Sequence, residues 1–137
     1  MHKNPALTCQ SCTEKFLGCD PRMVSFVKKV QEVFTDCHVA WGFRDQAQQH
    51  QDKVAGKSMF DWPESKHNFT LYGHPYSKAC DLFMLGVDGQ AYFLKEYYEN
   101  IWRYYKDHWK EFGESNQYVW GGSWLHFKDL DHYEVKG

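Results

Sequence analysis

Two stretches of the chain hold side chains that can bind a metal or move a proton. SKHNFTLYGHPYSKACDLF, Ser65 to Phe83, carries His67 and His74 and reaches Asp81 at the mouth of an apolar run, while FKDLDHYEV near the C-terminus carries Asp129, Asp131 and His132. Imidazole nitrogens and carboxylate oxygens are the usual donors to catalytic zinc, which takes three protein ligands and keeps a fourth position for water. In such a site His67 or His74 supplies one nitrogen, Asp81 an oxygen at the start of a strand, and His132 a second nitrogen from the last strand. Asp129, three residues before His132, is close enough to reach the water and take its proton as a general base. Spacing alone does not single out this reading. The chain has 8 histidines, and the same side chains also serve as ordinary loop polarity. His2, His38, His50, His108 and His126 read as surface or hydrogen-bonded residues.

The elements that must position these groups follow from pattern. At 137 residues the chain fits one domain, 1–137, with a polar N-terminal arm over 1–17. It has no repeat, low-complexity tract or linker. GCDPRMVSFVKKVQEVFTD predicts a helix: Asp20 caps it, Pro21 suits its first position, and Met23, Phe26, Val27, Val30, Val33 and Phe34 form one apolar face. CHVAWGF alternates as a strand, and DQAQQHQDKVAG reads as a second helix from Asp45 to Gly56. A loop spans Lys57 to Lys78. ACDLFML is a strand, VDGQ a tight turn into AYFL, and Leu94 to Phe112 a long helix stopped by Gly113. YVWGGSWLHFKDLDHYEVKG offers two short strands around a Gly-Gly break. This order predicts an α+β fold, a small mostly antiparallel sheet with helices packed on it.

Composition narrows the partners. Sixteen Lys and Arg against eighteen Asp and Glu leave a net charge of −2 with the signs interspersed, so a nucleic-acid-binding role is not expected. No apolar run approaches the roughly 18 residues of a membrane span, and MHKNPALTCQ lacks the apolar centre of an export signal, which predicts a chain that starts life in a cytoplasm. The 5 cysteines read as thiols rather than a disulfide framework. CQSC has the spacing of a structural-zinc half-site that Cys19 and Cys37 would complete, against the plainer reading of Cys9, Cys12, Cys19, Cys37 and Cys80 as inert thiols. Aromatic residues make up 18% of the chain. Trp41, Trp120, Trp124 and Tyr133 are therefore candidates for cleft walls as well as core.

Four segments in order, WGFRDQAQQHQDKVAGKS, SKHN with YSKACDLF, WGGSW, and FKDLDHYEV, resemble the zinc-dependent peptidoglycan peptidases. That family includes D-alanyl-D-alanine carboxypeptidases, D-alanyl-D-alanine dipeptidases and the L-alanyl-D-glutamate endopeptidases of phage endolysins. The resemblance implies a Hedgehog/DD-peptidase-like fold with Zn2+ at the sheet, bound by His67, Asp81 and His132. It implies Asp129 as general base and Arg44 as the group that steadies charge developing on the substrate. An always-charged guanidinium suits that task, the other reading being a surface arginine paired with Asp45. The implied substrate is the peptidoglycan stem peptide, cut by a monomeric endolysin that is made in the host cytoplasm and reaches the wall after release. The alternatives are a D-Ala-D-Ala carboxypeptidase or dipeptidase and a non-catalytic zinc-binding module. Three departures mark this chain. The gap from His67 to Asp81 is longer than the family's, which requires FTLYGHP as an insertion and keeps His74 as the alternative ligand. Ser123 replaces a frequent acidic residue, and Asp131 stands where proline is common, so it competes with Asp129 for the base role.

Overall fold

The computed structural model describes residues 9–113, 117–125 and 128–137. Helix α1 is Gln10–Phe16 and α2 is Pro21–Val33, followed by strand β1, Cys37–Trp41, and α3, Gln46–Val54. A short hairpin of β2 (Thr70–Leu71) and β3 (His74–Pro75) precedes β4, Ala79–Leu85, and β5, Ala91–Tyr92. Helix α4, Lys95–Asp107, leads to β6, Tyr118–Trp120, and β7, His132–Val135. The main sheet runs β1-β4-β7-β6, with β5 also on β4, and all of its pairings are antiparallel. The α+β architecture is the expected one.

One face of this sheet carries the core. Asp20 caps α2 by accepting from the Arg22 amide at 2.8 Å, with Pro21 in the first turn. Met23, Phe26, Val27 and Val30 of that helix are fully buried, as are Tyr98 and Ile101 of α4. The Phe26 ring sits within 5.7 Å of the rings of Tyr105, Phe112, Tyr118 and Tyr133. Much of the aromatic excess is therefore core, Tyr133 included, and Trp120 is also largely buried. Successive side chains of a strand point to opposite faces. Since Cys80 and Leu82 of β4 and Tyr133 and Val135 of β7 belong to this core, Asp81, His132 and Glu134 project from the other face. The register places Asp81 directly opposite His132.

Three local differences from the sequence pattern have physical causes. The arm holds α1, too short to show a helical period. It lies along the free edge of β1, where the Val39 amide donates to Cys12 Sγ at 3.4 Å and Lys15 Nζ donates to the Val39 carbonyl at 3.1 Å, occupying backbone groups an edge strand would otherwise expose. The long helix breaks at His108, whose Nδ1 donates to the Tyr104 carbonyl at 3.0 Å while its ring stacks on Tyr104; a 3-10 turn, Trp109–Phe112, continues to Gly113 at φ 105°. Within the expected loop 57–78, FTLYGHP forms the β2–β3 hairpin, turned by Tyr72 at φ 53° and Gly73 at φ 80°, a two-residue turn with both φ positive. The segment thus closes on itself. Among the described residues, no helix is long and apolar enough to cross a membrane.

Candidate metal centre

The SKHN segment folds as a 3-10 turn, Lys66–Asn68, with Ser65 as its cap. Ser65 Oγ accepts from the His67 amide and Asn68 Oδ1 accepts from the Ser65 amide, both at 3.1 Å, a reciprocal arrangement that fixes the turn. The Arg44 amide donates to the His67 carbonyl at 3.1 Å, and His67 Nδ1 donates to the Gly42 carbonyl at 2.7 Å. His67 is thereby aimed at the strand pair that carries Asp81 and His132.

The three side chains converge. His67 Nε2 lies 3.1 Å from Asp81 Oδ1 and 3.1 Å from His132 Nδ1, and His132 Nδ1 lies 3.3 Å from Asp81 Oδ1. Each imidazole's other nitrogen is committed: His67 Nδ1 to Gly42, and His132 Nε2 to Glu134 Oε1 at 2.8 Å. Those partners fix the tautomers, so two nitrogen lone pairs and a carboxylate oxygen face one another in a site where all three residues are buried. Three such donors repel unless a cation lies among them. A tetrahedral zinc with bonds of about 2.0–2.1 Å spaces its nitrogen and oxygen ligands about 3.3 Å apart, which fits these edges. His74 is exposed on β3, outside the group. His67→Ala is therefore expected to remove one equivalent of bound zinc and His74→Ala none, read by metal analysis of the folded proteins.

Without a metal, the cation is a proton. Burial alone would lower the His132 pKa, but hydrogen bonds to Asp81 and Glu134 outweigh it and push it up to about 10. Burial holds His67 below its ordinary value against the pull of Asp81. Burial would raise the Asp81 pKa, but the attraction of the two imidazoles facing it holds the carboxyl well below the usual carboxylate range. To hold zinc, His132 would have to give up this proton, which is bound at pH values below its raised pKa. Affinity should therefore rise with pH, roughly tenfold per unit between about pH 6 and 8, in competition titrations against a chelator; a flat profile would contradict the proton's location.

Arg44 borders the cleft and is not a surface residue paired with Asp45, whose side chain instead accepts from the Gln48 amide to cap α3. Its Nη2 donates to Asp81 Oδ2 at 2.5 Å, its Nη1 donates to Gln49 Oε1 at 3.4 Å, and its Nε pairs with Asp52 Oδ2 at 3.2 Å. The guanidinium is buried, borders the cleft and holds the Asp81 carboxylate, which leaves Oδ1 turned to the histidines. Trp41 lies against the guanidinium, 5.7 Å from the ring centroid.

Asp129 borders the open side. Its Oδ2 is 3.8 Å from His132 Nδ1 and its side chain is about a quarter exposed, at 24%, in a cleft also lined by Met59, Phe60, Lys66 and Trp124. Asp131 is pushed up to about 9 by burial, by the Asp81 charge and by its hydrogen bond with Asp129. The Gly-Gly break places this segment: a Cβ on Gly121 would stand 2.4 Å from the Asp129 carbonyl oxygen and 3.1 Å from His132 Cβ, while Trp120 Nε1 donates to the Leu130 carbonyl at 2.6 Å. Gly121→Ala should cost about 1–3 kcal/mol by overpacking, measured by chemical denaturation. Ser123 is exposed and Trp124 lies over His132, ring centroids 5.0 Å apart.

No protein-family model matches the chain, and no curated protein matches it in sequence. Among solved structures, the L-Ala D-Glu endopeptidase ChiX of Serratia marcescens is similar, with a TM-score of 0.74 and 22% identity over 98% of this chain and 92% of that one. The vancomycin-resistance D,D-pentapeptidase VanY from a VanB-type cassette, a mutant in complex with Zn(II), matches with a TM-score of 0.51 and 13% identity over 87% of this chain and 73% of that one. The chain shares their fold.

Several residues of the site escaped the sequence reading. Glu134 was available in principle, since i and i+2 on a strand share a face. Gln49 and Asp52, three apart on α3, both turn to Arg44, a spacing that puts side chains on one helix face. Asn68 carries no such sequence signal; its Nδ2 donates to the Arg44 carbonyl and to Gln49 Oε1.

Proposed function

We propose that the chain is a zinc peptidase of peptidoglycan, with His67, Asp81 and His132 as ligands and Asp129 as general base. The observation that carries the reading is the set of three mutually facing donor atoms, with tautomers fixed from behind and the Asp129 carboxyl on the open side. Zinc bound there would lower the pKa of its water toward neutrality and polarise the scissile carbonyl. Asp129 accepts the water's proton and returns it to the leaving amine. Arg44 and Glu134 keep Asp81 and His132 in their ligating orientation, and Trp124, Met59 and Phe60 give the substrate backbone an apolar wall that excludes water. Lys66 offers the cleft a cation suited to a peptide rich in carboxylates.

The favoured bond is L-alanyl-D-glutamate. Support comes from the near end-to-end correspondence with a fold neighbour named as an L-Ala D-Glu endopeptidase, against the looser one with a D,D-pentapeptidase. In this reading the chain is a monomeric endolysin, made in a host cytoplasm and acting on the wall after release, as its motif resemblance implies. Mass spectrometry of fragments released from defined peptidoglycan by the zinc-loaded protein tests the bond. New termini at L-Ala and D-Glu are expected. Release of terminal D-Ala alone would mark a carboxypeptidase, and no release by folded, zinc-loaded protein would mark a binding module.

A further inference from the structure

A second group of soft donors lies away from this cleft, and the peptidase reading does not use it. Cys9 and Cys12, at the start of α1, and His38 of β1 are all buried, and one donor atom from each lies within 4.8 Å of the other two. Cys12 Sγ is 3.5 Å from His38 Nδ1. Zinc bonds of about 2.3 Å to sulfur and about 2.0–2.1 Å to nitrogen, at a tetrahedral angle, put those two atoms about 3.5 Å apart. Each sulfur also accepts a backbone amide, Cys9 Sγ from Cys12 at 3.3 Å and Cys12 Sγ from Val39 at 3.4 Å. A thiol is a weak acceptor, whereas a thiolate bound to a cation is a strong one. Amides directed at both sulfurs are the outer support a thiolate metal site requires.

We propose that Cys9, Cys12 and His38 hold a second, structural zinc ion, with a fourth corner left for water or a further donor. The ligand set differs from a four-cysteine site. Cys19 Sγ lies 3.8 Å from Cys80 Sγ, and Cys37 is buried in the core; neither belongs to the group. His38 completes it instead, from a strand 26 residues beyond Cys12. The ion clips α1 to the free edge of β1, and the chain leaving that strand provides the Gly42 carbonyl that orients His67. It therefore works on the scaffold rather than on the substrate.

Metal analysis of the full chain, purified under reducing conditions and loaded with zinc, tests this. Two equivalents are expected in the parent, one in Cys12→Ser or His38→Asn, one in His132→Ala, and none in Cys12→Ser combined with His132→Ala. A single equivalent in the parent, unchanged in Cys12→Ser, overturns the proposal. Cys12→Ser tests this site and His132→Ala tests the peptidase centre, so failure of one is distinguishable from failure of the other. A second measurement needs no cysteine variant. Cobalt(II) loaded into folded His132→Ala protein should give thiolate-to-metal charge-transfer absorption, and its absence likewise overturns the assignment.

Discussion

Replacing Asp129 by Asn is expected to leave zinc content unchanged while peptidoglycan hydrolysis falls by about 10²–10⁴-fold, the usual worth of a positioned general base. The carboxylate's oxygen is 3.8 Å from His132 Nδ1, within reach of solvent on the open side and outside the three-donor group. Asparagine keeps the shape and cannot accept the proton. Asp131 does not substitute, because burial and its neighbours hold it protonated with a pKa of about 9. Steady-state hydrolysis of purified walls, with zinc measured on the same samples, checks the prediction. Undiminished hydrolysis would remove Asp129 as the base.

Asp81→Ala should have the second large effect, and on three readouts together. One of three donors disappears, so an equivalent of zinc and the hydrolytic activity go with it. The change also strips Arg44 of the carboxylate held at 2.5 Å. Breaking a buried ion pair from one side costs about 3–5 kcal/mol, since it leaves a desolvated charge behind. Asp52, 3.2 Å from Arg44 Nε, still partners that charge, so the lower end, about 3 kcal/mol, is expected. That corresponds to roughly 10 °C in melting temperature for a domain of this size. Thermal unfolding and metal analysis of the purified variant measure both. Stoichiometric zinc retained in Cys12→Ser/Asp81→Ala protein would exclude Asp81 as a ligand.

The parts of this molecule that could be read from sequence are those where one local pattern decides. ACDLFML announces its strand over the residues that form it, and Asp20-Pro21 marks the start of α2 because cap and first-turn proline act within a few residues. The ordered motifs brought His67, Asp81 and His132 to attention, and their meeting follows from the Asp81–His132 register, which no spacing rule gives. What stayed hidden depends on contacts across the fold. Arg44 looked like a free cation because its partners Asp52 and Asp81 lie 8 and 37 positions away. His38 looked ordinary because α1, the helix that carries Cys12 to it, is too short to show a period. FTLYGHP lengthens the gap from His67 to Asp81, and its folding back as a hairpin rests on the Thr70–Pro75 pairing, which no spacing rule gives.

In the proposed centre His67 Nε2, Asp81 Oδ1 and His132 Nδ1 share one zinc ion. Anomalous diffraction at the zinc edge from crystals of the loaded protein tests it most directly. A peak is expected about 2.0–2.2 Å from each of these three atoms, with His67 Nδ1 still on the Gly42 carbonyl and His132 Nε2 still on Glu134. Fully loaded crystals with no peak there, or with either imidazole bound through its opposite nitrogen, would contradict it.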